Sequence, residues 1–392
     1  MNQQELMDEA DQYLFHVYNR FPVVFDHGEG MYLYDVSGKA YLDFAAGIGV
    51  SAFGYGDAEY EEALKAQVDK LIHVSNLYYH TELADAAKAV CEVTEMDKVF
   101  FTNSGAEAIE GALKTAKKFG YLRDGHSGHE IIAMEHSFHG RTVGALSVTG
   151  TEHYREPFYP LMDGVKYAAF NDIESVKRQI SGKTIAILVE PVQGEGGVHT
   201  ATMEFMKGLR EFCDEKGMLL LIDEVQTGWC RTGKVMSFMH YGIKPDIVSM
   251  AKALGGGMPI GAICATSEVA KAFTAGSHGT TFGGHPVSCA AALAQLGELL
   301  DRDLAGNAAR IGDYFMTRLK ELPHVKEVRG QGLLVGVEFD DSINAVDVKH
   351  ECMHRHLLIT AIGNHVIRMI PPLIIDEKDC DKAYEIIKES VE

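Results

Sequence analysis

The sequence is poor in the features that would place a chain outside the cell, in a membrane or on nucleic acid. It has no C-x-x-C pair: the seven cysteines, Cys91, Cys213, Cys230, Cys264, Cys289, Cys352 and Cys380, are scattered singly. An odd number of isolated thiols argues for a reducing compartment and against a disulfide framework. No run of 18 apolar residues occurs, so no membrane span is expected. The opening stretch "MNQQELMDEADQYLF" is acidic and has no apolar h-region, unlike a secretory signal. A cytoplasmic location is the resulting expectation. Positive charge is also scarce. Lys and Arg number 36 against 56 Asp and Glu, a formal net charge of −20. Phosphate backbones need basic patches, so no nucleic-acid partner is expected. Internal repeats, low-complexity tracts and obvious linkers are missing too.

What remains is an ordinary globular composition, 46% hydrophobic and 23% charged over 392 residues. That length predicts two or more domains. In the middle of the chain, short apolar runs alternate with amphipathic stretches. "KVFFTNSG" (98–105), "EIIAMEH" (130–136), "IAILVEP" (185–191), "MLLLIDEV" (218–225) and "DIVSMAK" (246–252) read as strands. "AEAIEGALKTAKKFGYL" (106–122) and "ATMEFMKGLREFCDEKG" (201–217) read as helices. Strands this continuously apolar predict an α/β fold with a mostly parallel central sheet covered on both faces. The ends differ. Residues 31–46 read as a hairpin turning at Ser37 and Gly38, and 290–321 as one long helix. "VKEVRGQGLLVGVEF", a helix near 345–357 and "HVIRMIPPLII" complete a smaller α+β domain. The expected division is an N-terminal segment, 1–48, joining the small domain, a large domain, 49–290, and a small C-terminal domain, 291–392.

Polar residues collect where the predicted strands end: Ser104, the segment from His136 to Arg141, Glu190, Asp223 with Gln226, and Lys252. In open α/β sheets ligands bind at the carboxyl ends of the strands. Lys252 sits in "VSMAKALGGGMP". An amine at the end of an interior strand is costly unless it is paired or chemically engaged, and Gly255, Gly256 and Gly257 permit close backbone approach. A nucleophilic amine that forms a Schiff base is one reading; a solvated lysine at a helix start is the other. Asp223 and Glu224 close "LLLID". A carboxylate there can keep a heteroaromatic nitrogen protonated, or cap the next segment. In "TNSGAEA", Ser104, Gly105 and Ala106 precede a helix, as in phosphate sites or a simple serine N-cap. "GTTFGG" (279–284) offers Thr280 and Thr281 as a second phosphate contact.

In "HSFHGR", Phe138 and His139 can stack on a planar ring, and Arg141 can grip a carboxylate. Arg368 stands inside the apolar run "VIRMIPP". A buried guanidinium needs an anion, from a substrate or from Glu195. Three motifs imitate other chemistries. "HECMH" (350–354) fits a zinc-hydrolase helix built on His350, Glu351 and His354, but no third ligand follows. "SGKT" (181–184) resembles the end of a phosphate loop, with Lys177 where its first glycine should be. "GIGVSA" (47–52) lacks the strand–helix setting of a dinucleotide fingerprint.

"TNSGAEA", "HSFHGR", "VEPVQGEGG", "LLIDEVQTGWCRTG", "SMAKALGGGMPIGA" and "GTTFGGHP" together resemble the class III pyridoxal-phosphate aminotransferases of fold type I, from about residue 15 to about 388. The resemblance implies pyridoxal 5'-phosphate as cofactor and a homodimer with interfacial active sites. Lys252 matches the Schiff-base lysine that also shuttles the substrate proton, and Asp223 the partner of the pyridine nitrogen. Val225 and Gln226 match residues packing on the ring and contacting its hydroxyl, and Phe138 the stacking aromatic. Ser104, Gly105 and Ala106 match the phosphate turn. Thr281 matches a phosphate contact given by the other subunit, and Thr280 a substrate neighbour. Arg141 matches the substrate-carboxylate clamp. Glu195 and Arg368 match a switch pair that opens for 2-oxoglutarate. No metal is implied. Ile48 stands where ornithine-specific relatives carry a tyrosine. An apolar residue there suits an acylated α-nitrogen, so the δ-amine of N-acetylornithine is the expected donor, ahead of ornithine, succinylornithine or another ω-amine. One segment, "GYGDAEY" (54–60), departs from the Gly-His-x-His-Pro run that the family often shows near the cofactor.

Overall fold

Residues 2–392 are described by a computed structural model. β1 (Phe25–Glu29), β2 (Tyr32–Asp35) and β3 (Ala40–Asp43) form an antiparallel meander. The β2–β3 turn falls where expected. Asp35 Oδ1 accepts the N–H groups of Ser37 and Lys39 at 2.9 and 3.0 Å, and Gly38 takes a φ of 83°.

The middle of the chain builds one sheet from β4 (Lys98–Thr102), β5 (Glu130–Met134), β6 (Val165–Ala168), β7 (Thr184–Val189), β8 (Leu219–Asp223), β9 (Ile247–Met250) and β10 (Gly261–Ala265). Its strand order is β4-β10-β9-β8-β7-β5-β6. Only β10 runs antiparallel to its neighbours. Every residue of β7, β8, β9 and β10 is buried, as a sheet with two covered faces requires. Alternate residues serve opposite faces. Leu220 and Ile222 join the core that contains Phe205, Met206 and Leu209 of α2 (Met203–Lys216), whereas Leu219 and Leu221 join the core under α1 (Gly105–Asp124).

α1 starts because Ser104 caps it, accepting the Glu107 N–H at 3.2 Å, and stops at Gly125, which takes a φ of 74°. Ala108, Ile109, Ala112, Leu113 and Ala116 form its buried stripe. Burying Ile109 or Leu113 contributes about 1.5–3 kcal/mol each.

The predicted long helix over 290–321 is two helices, α3 (Pro286–Asp301) and α4 (Leu304–Leu319). The chain breaks at Asp303, which has a φ of 47° and caps α4 by accepting the Gly306 N–H at 3.2 Å. The capping carboxylate wins over continued helix at this point. β11 (Val325–Gln331) and β12 (Leu334–Phe339) form a hairpin. α5 (Ala345–His354) follows and ends before 357, because β13 (Leu357–Leu358) pairs parallel with β3. β14 (Thr360–Ile362) and β15 (Val366–Met369) extend the hairpin into a sheet of order β11-β12-β15-β14, and α6 (Glu377–Val391) closes the chain.

Candidate active site

The carboxyl ends of the parallel strands open on one cavity of about 460 Å³, whose lining includes Gly105, Phe138, Glu190, Asp223, Gln226 and Lys252. β9 delivers Lys252 through Ala251. The lysine takes a φ of 47°, uncommon for a residue with a side chain, and begins a short 3₁₀ turn. The glycines after it are required by space. A Cβ on Gly255 would lie 2.3 Å from the Met258 carbonyl oxygen, and one on Gly256 2.2 Å from Gln295 Oε1. The divergent segment 54–60 supports this turn: the Tyr60 hydroxyl donates to the Gly255 carbonyl at 2.5 Å. Burial lowers the Lys252 ammonium to about 8, although the carboxylates of Glu195, Asp223 and Glu190 pull the other way. An amine so placed is partly neutral near pH 7 and can act as nucleophile or base.

The two acids closing β8 part company. Asp223 turns into the cavity, where its Oδ1 accepts the Val225 N–H at 2.9 Å and its Oδ2 lies 2.7 Å from Nδ1 of the buried His139. Glu224 turns into the protein. It accepts the Thr227 hydroxyl at 2.5 Å and the Phe238 N–H at 2.7 Å, and burial pushes its carboxyl up to about 7. Glu190, at the end of β7, accepts the Phe138 N–H at 3.2 Å; burial raises its carboxyl well above the ordinary range, and Asp223 adds to the effect.

At the start of α1, the amides of Gly105 and Ala106 precede the helix's own hydrogen-bond ladder and are available to an anion. A Cβ on Gly105 would lie 2.8 Å from Cγ1 of Val225, so glycine alone permits this approach. Gln226 Oε1 is buried without a hydrogen-bond partner among the described residues. Gly194 makes room for that side chain, since a Cβ there would meet Oε1 at 1.6 Å. An amide-lined turn, a carboxylate held in place by a histidine, the Gln226 side chain and a buried amine all line one cavity. This donor and acceptor set fits pyridoxal phosphate, with an anion cradle, an acid for a ring nitrogen, an acceptor for a ring hydroxyl and a nucleophile for an aldehyde.

Phe138 also lines the cavity. Arg141 is exposed and makes no ion pair among the described residues; its guanidinium lies 3.8 Å from the ring centre of Tyr154 and 5.3 Å from that of Phe138. Arg368 lies buried in β15, with Nη1 donating to Glu195 Oε1 at 2.5 Å and Nε to Thr360 Oγ1 at 3.1 Å. Burial pushes the Glu195 carboxyl up, but Arg368, joined by Lys252 and Gln226, holds it below the ordinary value. Thr280 and Thr281 do not join this cavity. They lie in a separate one of about 350 Å³, where the Asn103 side-chain amide donates to Thr280 Oγ1 at 3.0 Å. Ile48 does not line the cavity either; it is 46% exposed, in a left-handed turn two residues before the lining residue Val50. The zinc-hydrolase alternative fails. His350, Glu351 and His354 are all exposed on α5, and no metal-ligating group among the described residues contains them.

Sequence patterning marks Glu190 only as a strand-end acid and leaves Tyr154 and Gly194 unmarked. His139 was visible only as a possible stacking ring, because its partnership with Asp223 spans 84 positions.

Residues 14–391 match the family model described as aminotransferase class-III. Acetylornithine aminotransferase of Methanocaldococcus jannaschii is 44% identical over 99% of this chain and 98% of its own length. That of Aquifex aeolicus is 46% identical over 96% and 99%. Among solved structures, the ornithine aminotransferase of Toxoplasma gondii superposes with a TM-score of 0.95 at 32% identity, over 100% of this chain and 95% of that one. The acetylornithine aminotransferase of Elizabethkingia anophelis does so with a TM-score of 0.89 at 31% identity, over 100% and 99%. A match that runs nearly end to end, on a cavity built for this cofactor, makes the chain a member of the class-III aminotransferases, which are pyridoxal-phosphate-dependent enzymes.

Proposed function

We propose that this aminotransferase moves the δ-amine of N-acetylornithine to 2-oxoglutarate, giving N-acetylglutamate 5-semialdehyde and glutamate, a step of arginine biosynthesis. The donor is supported by relatives named acetylornithine aminotransferase at 41–46% identity. The observation that carries the two-substrate reading is the Glu195–Arg368 pair at the cavity edge, with Gln226 Nε2 3.5 Å from the same Glu195 oxygen. A dicarboxylate acceptor needs a second arginine. A donor with one free carboxylate needs that arginine neutralised, and Glu195 does this.

Bound pyridoxal phosphate supplies an electron sink for the carbon that loses its proton. Gly105 and Ala106 hold its phosphate through their amides, next to the Ser104 cap. Asp223, fixed by His139, keeps the ring nitrogen protonated. Gln226 would contact the ring hydroxyl, and Phe138 and Val225 would pack on the ring. Lys252 accepts the substrate proton on its Nζ and returns it to the product carbon. Arg141 grips the carboxylate common to both substrates.

The proposed assembly is a homodimer in the cytoplasm. Thr281 is exposed outside its own chain's cavity, Thr280 beside it, and Leu77, Tyr78, Tyr79 and Phe282 are exposed at 85, 65, 99 and 57%. A second copy covering that surface would receive Thr281 as a phosphate contact and Thr280 as a substrate neighbour. The deciding experiment is a donor panel with 2-oxoglutarate: acetylornithine, succinylornithine, ornithine and 4-aminobutyrate. Acetylornithine should give the highest kcat/KM, and ornithine running faster would overturn the assignment. Lys252→Ala should lower turnover by at least about 10⁴-fold, with Asp223 and the rest of the cavity intact.

A further inference from the structure

The far end of α1 carries a second cluster with ligand chemistry. α1 is 20 residues long, so its C-terminus lies about 30 Å from the amides of Gly105 and Ala106. Asp124 is its last residue, and Gly125 and Gly128, with φ of 74° and 92°, fold the next four residues back toward β5. One ligand atom each from Asp124, His126 and His129 lie within 4.8 Å of one another. The rings of His126 and His129 are 4.9 Å apart and 23° from parallel.

His129 gives this cluster its meaning. It is 3% exposed, and neither ring nitrogen has a hydrogen-bond partner among the described residues. Its Nε2 points at Asp124 Oδ2 from 3.6 Å, too far for a hydrogen bond. Its ring is seated against the helix backbone, since a Cβ on Gly120 would lie 2.6 Å from Cδ2. An imidazole buried with both nitrogens unmet is unfavourable, and a ligand on one of them would relieve this.

We propose that Asp124, His126 and His129 bind one divalent transition-metal ion of the zinc class. Two imidazoles and one carboxylate are the donor set such ions prefer, and a fourth position stays open to water. Tetrahedral zinc spaces its ligand atoms about 3.3 Å apart. The exposed His126 and Ser127, between two glycines at positive φ, can supply that contraction. Arg123 does not block the site. It holds the Asp124 carboxylate through Nε and Nη2, both at 2.7 Å, and is itself tied to the Gly217 carbonyl at 2.6 Å. A carboxylate has about four lone-pair directions, so two remain, and the arginine orients the ligand as outer-shell partners do. The carbonyl end of a helix also favours a cation. The ion would tie the end of α1 to the start of β5.

The test uses the cofactor-loaded enzyme after chelation and dialysis, titrated with Co²⁺ and then Zn²⁺. The expected result is one Co²⁺ per chain with visible d–d absorption, displaced by Zn²⁺. His126→Ala removes an exposed ligand without disturbing the core, and should weaken binding by about 100-fold or more. His350→Ala, which removes half of the exposed histidine pair on α5, should leave it unchanged. No stoichiometric binding, or binding that survives His126→Ala, or binding lost in His350→Ala, would each overturn the site.

Discussion

Arg141 lines the cavity and Arg368 meets its lining residue Glu195, from two regions that treat a guanidinium in opposite ways. In the C-terminal sheet, Arg368 is buried within β15, 3% exposed, tied to Glu195 and Thr360. In the loop after β5, Arg141 is exposed and stacked over Tyr154, with no carboxylate paired to it among the described residues. Burial explains the contrast. A guanidinium inside a sheet cannot be left unpaired, so the protein supplies an anion, Glu195. At the solvent edge the aromatic face is enough to hold the group in place while its donors stay free. The first arrangement suits a contact needed by one substrate only, the second a contact needed by both.

Removing Arg368 breaks this comparison most severely. Arg368→Leu leaves the Glu195 carboxylate next to the cavity without its partner, and costs of about 2–5 kcal/mol are usual for such a loss. The half-reaction with 2-oxoglutarate should slow by about 10²–10³-fold in kcat/KM, while the half-reaction with the amine donor loses far less. Single-turnover measurements of each half-reaction read this directly. Equal losses in both would mean that the two arginines are not specialised.

Arg141→Ala should act more evenly. One set of charge-assisted hydrogen bonds contributes about 1.5–3 kcal/mol, so both half-reactions should drop by about 10–100-fold. Tm should stay nearly unchanged, because the side chain is exposed and makes no ion pair among the described residues. A variant that lost only one half-reaction would place the shared carboxylate elsewhere.

The two regions also differed in how much of them the sequence carried. The strand leading to Lys252 and the helix leading from Ser104 were legible, because buried strands read as unbroken apolar runs and a capped helix announces its start. Arg368 could be singled out as costly from its apolar neighbours alone, and Glu195 could be paired with it by family resemblance. The stacking of Arg141 on Tyr154 left no local mark, nor did the link between His139 and Asp223, since both are contacts between distant stretches. Glu224 illustrates the same limit. Beside Asp223 it was indistinguishable in kind, and only the alternation of β8 sends one carboxylate into the cavity and the other to Thr227 and Phe238. At Asp303, apolar spacing ran through a break that a single left-handed aspartate makes.

The smallest effect is one of linkage. Burial raises the Glu195 carboxyl, yet Arg368, joined by Lys252 and Gln226, holds it below its ordinary value of 4.5 in the folded protein. Unfolded chains therefore bind the proton first as the pH falls. The stabilisation from the pair is fully present above about 4.5 and is lost as the pH drops through the lower, folded value. Wild type and Glu195→Gln should differ in Tm by a constant amount from pH 7 down to about 5, and the gap should close by about 1–3 °C as the pH falls further. Arg141 has no carboxylate partner among the described residues, so Arg141→Ala should show no such acid limb. A gap that stays constant to pH 3.5 would mean that Glu195 gives up its proton no more easily folded than unfolded. Arg368 would then be held by Thr360 and the sheet alone, and the mask proposed for it would have no electrostatic grip.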